Sequence, residues 1–256
     1  MELDIASLSK IGGREVNEDA CDFLSIQDSF CCVLSDGLGG HHGGDIASNI
    51  VVKHAINCYS QEPGCNAQKI EFLLNECNNA IHQKQQQNPK LREMCATAVI
   101  LIINTAHNTA VWGHIGDSRL YCFRQNKIIA QTHDHSVSQQ MVDAGHLKPE
   151  ELRTSPTRNK LLAALGTSKH LEIDVISTVP IQDSDVFLLC SDGFWEYIDE
   201  KEMEQTLYTS TSAAEWLNTL EKYVLTRGHK QQDNYSAMAI WCYNNEDDDI
   251  TYPRSA

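Results

Sequence analysis

The sequence predicts an α+β domain in which antiparallel sheets are covered by pairs of helices. Three observations carry this. Strand-like apolar runs follow one another closely, which favours antiparallel pairing over parallel β-α-β units. Two helical stretches stand together early in the chain, and two more stand together late. No internal repeat, low-complexity tract or Pro/Gly-rich linker divides the 256 residues, so one domain is the simplest reading of the length.

The elements follow in order. Asp22 to Ile26 and Phe30 to Leu34 read as strands. Gly43-Gly44-Asp45 opens a helix from Ile46 to Tyr59, with Asp45 as its N-cap. A second helix spans Ala67 to Gln86, with Ile70, Leu73, Leu74, Cys77 and Ile81 on one stripe. Strands then come in quick succession at Ala96–Ile103, Thr109–Ile115, Arg119–Arg124 and Lys127–Ala130, with turns at Asn104–Asn108 and Gln125-Asn126. Ser136 to Ala144 is a helix ended by Gly145, and the polar stretch from His146 to Asn159 reads as a mobile insertion. Strands return at Leu171–Val179 and Asp185–Cys190, helices at Glu200–Leu207 and Ala213–Leu225, and a last strand at Tyr235–Tyr243.

The bulk numbers exclude several classes. The apolar fraction of 41% is enough for a sizeable core and too high for a disordered chain. A formal net charge of −15 without a basic stripe argues against nucleic-acid binding. No apolar stretch is long enough to span a bilayer, and Met1-Glu2-Leu3-Asp4 does not open a signal peptide. The ten cysteines form no zinc-type C-x-x-C pair, and most sit in apolar runs. A reducing cytoplasm without a disulfide framework is the expectation. The acidic end of the chain, residues 246–256, reads as a disordered tail.

Two apolar runs stop at the same tripeptide. Phe30–Leu34 runs into Ser35-Asp36-Gly37, and Val186–Cys190 into Ser191-Asp192-Gly193. Each reads as a buried strand ending in a turn that carries one carboxylate, which is how a fold holds a metal ligand on a rigid element. Asp117 in Gly116-Asp117-Ser118-Arg119, Asp233 before the last strand, and Glu18-Asp19 in a polar loop extend the set. Hard divalent cations take oxygen ligands of this kind, and two ions together can activate water for attack on phosphorus. A lone Asp-Gly is more often an ordinary turn than a ligand; the set, with Arg14 beside it, carries the inference. A G-x-x-x-x-G-K-[ST] phosphate loop, an H-E-x-x-H zinc helix, a G-x-S-x-G serine elbow and a cysteine followed six places later by arginine are all absent.

The ordered motifs Arg14-x-x-Asn17-Glu18-Asp19, Ser35-Asp36-Gly37-Leu38-Gly39-Gly40-His41, Gly116-Asp117-Ser118-Arg119, Asp134-His135-Ser136, Arg158-Asn159, Ala164-Leu165-Gly166, Ser191-Asp192-Gly193 and Asp233-Asn234 resemble the metal-dependent protein serine/threonine phosphatases of type 2C, the PPM family, in a compact bacterial-like form. The resemblance runs from Arg14 to Asn234. It implies a four-layer α-β-β-α sandwich of two central antiparallel sheets flanked by helix pairs. Residues 1–245 would be a single catalytic domain, with a flap at about 136–159.

The resemblance also implies two Mn²⁺ or Mg²⁺ ions, and in some members a third. Asp36 would bridge two ions, Gly37 would offer its carbonyl, and Asp192 and Asp233 would hold the first ion. Glu18 would hold the second, and Asp117 a third. Arg14 would bind the substrate phosphate. Asp19, Asn17 and Asn234 would orient neighbouring carboxylates. Hydroxide bridging the metals would attack phosphoserine or phosphothreonine directly. Phosphorylated proteins, and a serine/threonine kinase or its targets, would be the partners. The alternative is a catalytically weak member acting as a regulatory binding module. Many eukaryotic relatives have a histidine where this chain has Leu38, so the general acid stays open between a metal-bound water and His41 or His42. His114, His133 and His135 read as structural.

Overall fold

A computed structural model describes residues 1–39 and 43–244. The strands are β1 (Glu2–Lys10), β2 (Asp19–Ile26), β3 (Ser29–Leu38), β4 (Cys95–Ala96), β5 (Ala98–Asn104), β6 (Thr109–Ile115), β7 (Arg119–Arg124), β8 (Lys127–Gln131), β9 (Asp174–Val175), β10 (Val179–Pro180), β11 (Val186–Cys190) and β12 (Tyr235–Tyr243). The helices are α1 (Gly44–Gln61), α2 (Ala67–Gln87), α3 (Val137–Asp143), α4 (Asp192–Trp195), α5 (Glu200–Thr209) and α6 (Ala213–Arg227). One sheet has the order β1-β12-β11-β7-β8; the other runs β10-β6-β5-β3-β2, with β4 on β3 and β9 on β6.

Packing explains why the strand runs are apolar throughout. On β3, Cys31 and Val33 face the α1–α2 layer, whereas Phe30, Cys32 and Leu34 face the other sheet. Between the sheets these meet Leu120, Cys122, Phe187, Leu189, Met238 and Ile240. The outer face of the first sheet packs Tyr121, Phe123 and Leu188 against Trp216, Leu217 and Leu220 of α6 and Met203 and Leu207 of α5. The result is the expected four-layer α-β-β-α sandwich. A strand buried on both faces loses the alternation of a half-exposed one.

Several expectations need correction. β1 was not foreseen; it is an edge strand paired along its whole length with β12, from Glu2↔Tyr243 to Lys10↔Tyr235. The first Ser-Asp-Gly is not a turn: β3 continues through it because Asp36 pairs with Asp19 and Gly37 with Ala96. The second passes from β11 directly into α4. Gly43, not Asp45, is the N-cap of α1; Asp45 lies in the first turn, where a carboxylate favours the helix dipole. The four successive strands split between the two sheets, so the Asp117 turn crosses from one sheet to the other. Leu171–Val179 supplies only the two short strands β9 and β10. The 146–159 stretch is tied down: Leu152 is buried, and Arg153 donates to the carbonyls of Trp195 and Ile198 and to Glu200. The expectation for 246–256 lies outside the described residues.

Candidate metal centre

Asp36 stands on the β3 ladder, and its backbone is held from both sides. Its N–H donates to Thr97 Oγ1 at 2.9 Å, and its carbonyl accepts Thr97 N–H at 2.8 Å. The Thr97 hydroxyl also bonds Ser118 Oγ at 2.7 Å, which ties Asp36 to the turn carrying Asp117. Gly37 N–H donates to Glu18 O at 3.0 Å. Across the sandwich, Ser191 Oγ donates to Asp19 Oδ2 at 2.7 Å and accepts Ser236 N–H at 2.9 Å, so the residue before Asp192 is fixed to both sheets. Asn234 accepts Glu18 N–H and donates to the carbonyls of Ile11 and Val16, which shapes the loop that presents Arg14 and Glu18. Gly12, with φ of +60°, brings that loop onto the backbone of Asp233; a Cβ there would lie 2.1 Å from Asp233 O.

These connections bring Glu18, Asp19, Asp36, Asp117, Asp192 and Asp233 within each other's fields. Asp36 has its carboxyl pushed well above the usual range by burial, then by the charges of Asp19, Asp192, Asp117 and Asp233. Asp192 is raised in the same way, with burial first and Asp117 next. Burial also lifts Asp117 to about 7 and Asp19 to about 6, and it raises Glu18. One facing cation is Arg14, whose Nη2 lies 2.7 Å from Asp233 Oδ2. Asp192 Oδ1 and Asp19 Oδ1 are buried without a hydrogen-bond partner. Buried carboxylates that repel one another and lack donors are costly unless cations compensate them.

Two further oxygens converge beside the start of α1. A Cβ on Gly44 would stand 2.5 Å from Glu18 Oε1 and 2.6 Å from Gly37 O. A carboxylate and a peptide carbonyl packed around one bare Cα form an all-oxygen cradle of the kind hard divalent cations take. The donor set therefore fits Mn²⁺ or Mg²⁺.

Another cluster can be set aside. His114, His135 and Asp174 bring ligand atoms within 4.8 Å of one another. The two rings stack at 4.7 Å with 21° between their planes, so their in-plane lone pairs do not converge. His135 Nδ1 accepts Gly116 N–H at 3.2 Å, and His114 Nε2 donates to His133 O at 2.8 Å. These rings brace the turn that carries Asp117.

Thr97 and Glu196 were not singled out in the sequence, whereas Arg158 stood in the Arg158-Asn159 motif. Thr97 interrupts an apolar run, which is a weak signal. Arg158 donates Nε and Nη2 to the carboxylate of Glu196, and the charge of Glu196 acts on Asp192. Leu38 has no proton to give, and His41 and His42 lie outside the described residues.

Comparison with known proteins gives the family of the chain. The family model for protein phosphatase 2C matches residues 8–232. The serine/threonine phosphatase stp of Listeria welshimeri is 33% identical over 208 residues, 79% of this chain and 81% of that one. Protein phosphatase PhpP of Streptococcus pneumoniae is 29% identical over 251 residues, 96% of this chain and 99% of its own. Among solved structures, the Mycobacterium tuberculosis serine/threonine phosphatase PstP/Ppp superposes with a TM-score of 0.82 at 27% identity, covering 94% of this chain and 99% of that one. The catalytic domain of PstP in complex with two manganese ions gives 0.79 at 27% identity, with coverage of 94% and 99%. The carboxylates that close on one another between the two sheets thus belong to a chain of the protein phosphatase 2C family.

Proposed function

We propose that residues 1–245 form one catalytic domain that hydrolyses phosphoserine and phosphothreonine in proteins with the help of two divalent cations. The observation that carries this is the cluster of buried, mutually repelling carboxylates with orphaned oxygens at the junction of the two sheets. Asp36 would bridge the ions, and Gly37 would contribute its carbonyl. Asp192 and Asp233 would hold the first ion, Glu18 the second, and Asp117 a third in the state that binds one. Mn²⁺ and Mg²⁺ both suit the oxygen set, and a relative carries two manganese ions. Bound there, the cations supply positive charge that lowers the pKa of water and offsets the charge of the phosphoryl group.

The residues of the chain do the rest. Arg14 at the rim is half-exposed and offers a fork of N–H donors to phosphoryl oxygens. Asp19 and Asn234 hold the Asp36 and Glu18 segments in place. The 136–159 segment is read as the flap bordering the cleft. The overall change is water plus phosphomonoester giving inorganic phosphate and the free hydroxyl of Ser or Thr. A serine/threonine kinase or its targets, in the cytoplasm, are the partners this activity implies. No described helix is long and apolar enough to cross a membrane.

The test is hydrolysis of p-nitrophenyl phosphate with Mn²⁺, with Mg²⁺ and with EDTA, for the natural chain and for Asp192→Asn. Metal-dependent turnover that EDTA and the substitution both abolish is expected. Folded protein that binds Mn²⁺ without turnover would instead favour a regulatory binding module.

A further inference from the structure

The seam between α1 and α2 opens as a groove of about 670 Å³. Residues 62–66 turn the chain back between the two helices, so the early part of α1 faces the late part of α2. Half-buried Ile46, Ile50 and Ala80 form an apolar floor. Exposed amides, Asn49 and Gln83 among them, stand along the rim, where they can donate to and accept from an extended backbone.

The charge of this groove runs against that of the chain. The protein carries −15, yet the groove presents the exposed ammonium groups of Lys53 and Lys84. Neither has a hydrogen-bond or ion-pair partner for its side chain among the described residues. Among the described residues the lining holds one carboxylate, Asp45, at the end adjoining the metal centre, where its charge reaches Glu18.

The geometry points to this groove as the seat of an acidic segment of the phosphoprotein substrate, bound while the phosphorylated residue occupies the metal centre. The inference rests on the phosphatase reading above. Lys53 lies eight residues beyond Asp45 on α1, about 12 Å along the helix. An extended peptide covers that in about four residues. Counted from the Asp45 end of the groove, the selected carboxylates lie about four residues along, and so four or more positions from the phosphorylated residue.

The test uses the metal-loaded enzyme on three phosphothreonine peptides: one neutral, one with Asp-Asp four and five positions after the phosphothreonine, and one with the same pair before it. Each rate is divided by that of p-nitrophenyl phosphate with the same preparation. One acidic peptide is expected to exceed the neutral one about three- to tenfold in kcat/KM, through KM, with the preference fading in high salt. The double variant K53E/K84E should lose it, and so should K53Q/K84Q. Equal turnover of all three peptides overturns the inference, and so does a preference that both double variants keep. No turnover of any substrate, p-nitrophenyl phosphate included, overturns the phosphatase reading and this inference with it.

Discussion

Ser191 Oγ donates to Asp19 Oδ2 at 2.7 Å across 172 residues of sequence and from one sheet to the other. Asp19 stands opposite Asp36 in the β2–β3 ladder, and Ser191 immediately precedes Asp192. This bond therefore sets the spacing between two proposed metal carboxylates that no single strand could fix. Groups that orient ligands are worth about 10–100-fold in metal affinity. Ser191→Ala is expected to weaken Mn²⁺ binding by about that factor, measured by titration calorimetry, with kcat largely restored at saturating metal. Unchanged affinity would remove the bond from the account.

Gly44 gives a sharper test of the Glu18 side. Alanine is a better helix former than glycine, so Gly44→Ala in the first turn of α1 favours the helix itself. Its methyl would nevertheless fall 2.5 Å from Glu18 Oε1 and 2.6 Å from Gly37 O. The expected outcome is a folded protein, by circular dichroism, that has lost at least about tenfold in affinity for one of its two ions. Two ions bound as tightly as in the natural chain would show that these oxygens do not hold a cation.

Arg14 faces Asp233 from an exposed position, with both side chains about half open to solvent. Its loss should cost the fold little. Removing a donor aimed at developing phosphoryl charge costs about 10²–10³ in rate, so Arg14→Ala should lower kcat/KM by that order on p-nitrophenyl phosphate. Arg14→Lys should recover only part, because an ammonium lacks the paired donors. Full activity in either variant would place phosphate recognition elsewhere.

The carboxylate cluster makes stability depend jointly on pH and metal. Asp36 and Asp192 are pushed well above the usual range, and Asp117 to about 7, by burial first and neighbouring charge next. A raised carboxyl pKa means the folded state holds protons that the unfolded chain has released. That stability is present at low pH and is lost as pH rises through the folded value. His114, lowered by burial from 6.5 to about 4, acts oppositely, but only between those two values. Between pH 6.5 and 8 the carboxylates dominate. EDTA-treated protein should lose melting temperature across this window, and added Mn²⁺ should raise it more at pH 8 than at pH 6.5, where protons compete. A metal-free melting temperature that rises across the window would contradict the assignment.

The strands with both faces buried were legible because they read as unbroken apolar runs, such as Ala98–Ile103. β1 was not: the alternation of Leu3 and Ile5 breaks at Ala6-Ser7 before Leu8, and its nine residues are ordered by pairing with β12 at the far end of the chain. The Ser-Asp-Gly repeats pointed to Asp36 and Asp192, yet they suggested turns, because their local composition is that of a turn. What keeps Asp36 extended is Thr97 and the Glu18 carbonyl, which are distant partners. The Ser191–Asp19 and Arg158–Glu196 contacts join residues whose spacing carries no periodicity. Local composition thus identified the carboxylates, and long-range hydrogen bonds decided their placement.

The last test concerns what supports the Asp117 turn. Arg119 donates Nε and Nη2 to the two oxygens of Asp134, each at 2.8 Å, and Nη1 to Tyr121 Oη at 2.9 Å. Its guanidinium lies 3.5 Å over the ring of Trp195, whose Nε1–H donates to Asp117 O at 2.9 Å. Arg119 and Asp134 are both almost fully buried. Removing one member leaves the other charged in a poor solvent, which costs about 3–5 kcal/mol. Arg119→Met and Asp134→Leu should each lower stability in urea by that amount. The double variant should lose less than the sum, since it leaves neither charge unpaired. Strict additivity would mean that the two side chains act separately, and that the Asp117 turn is held by Thr97, Ser118 and Trp195 without them.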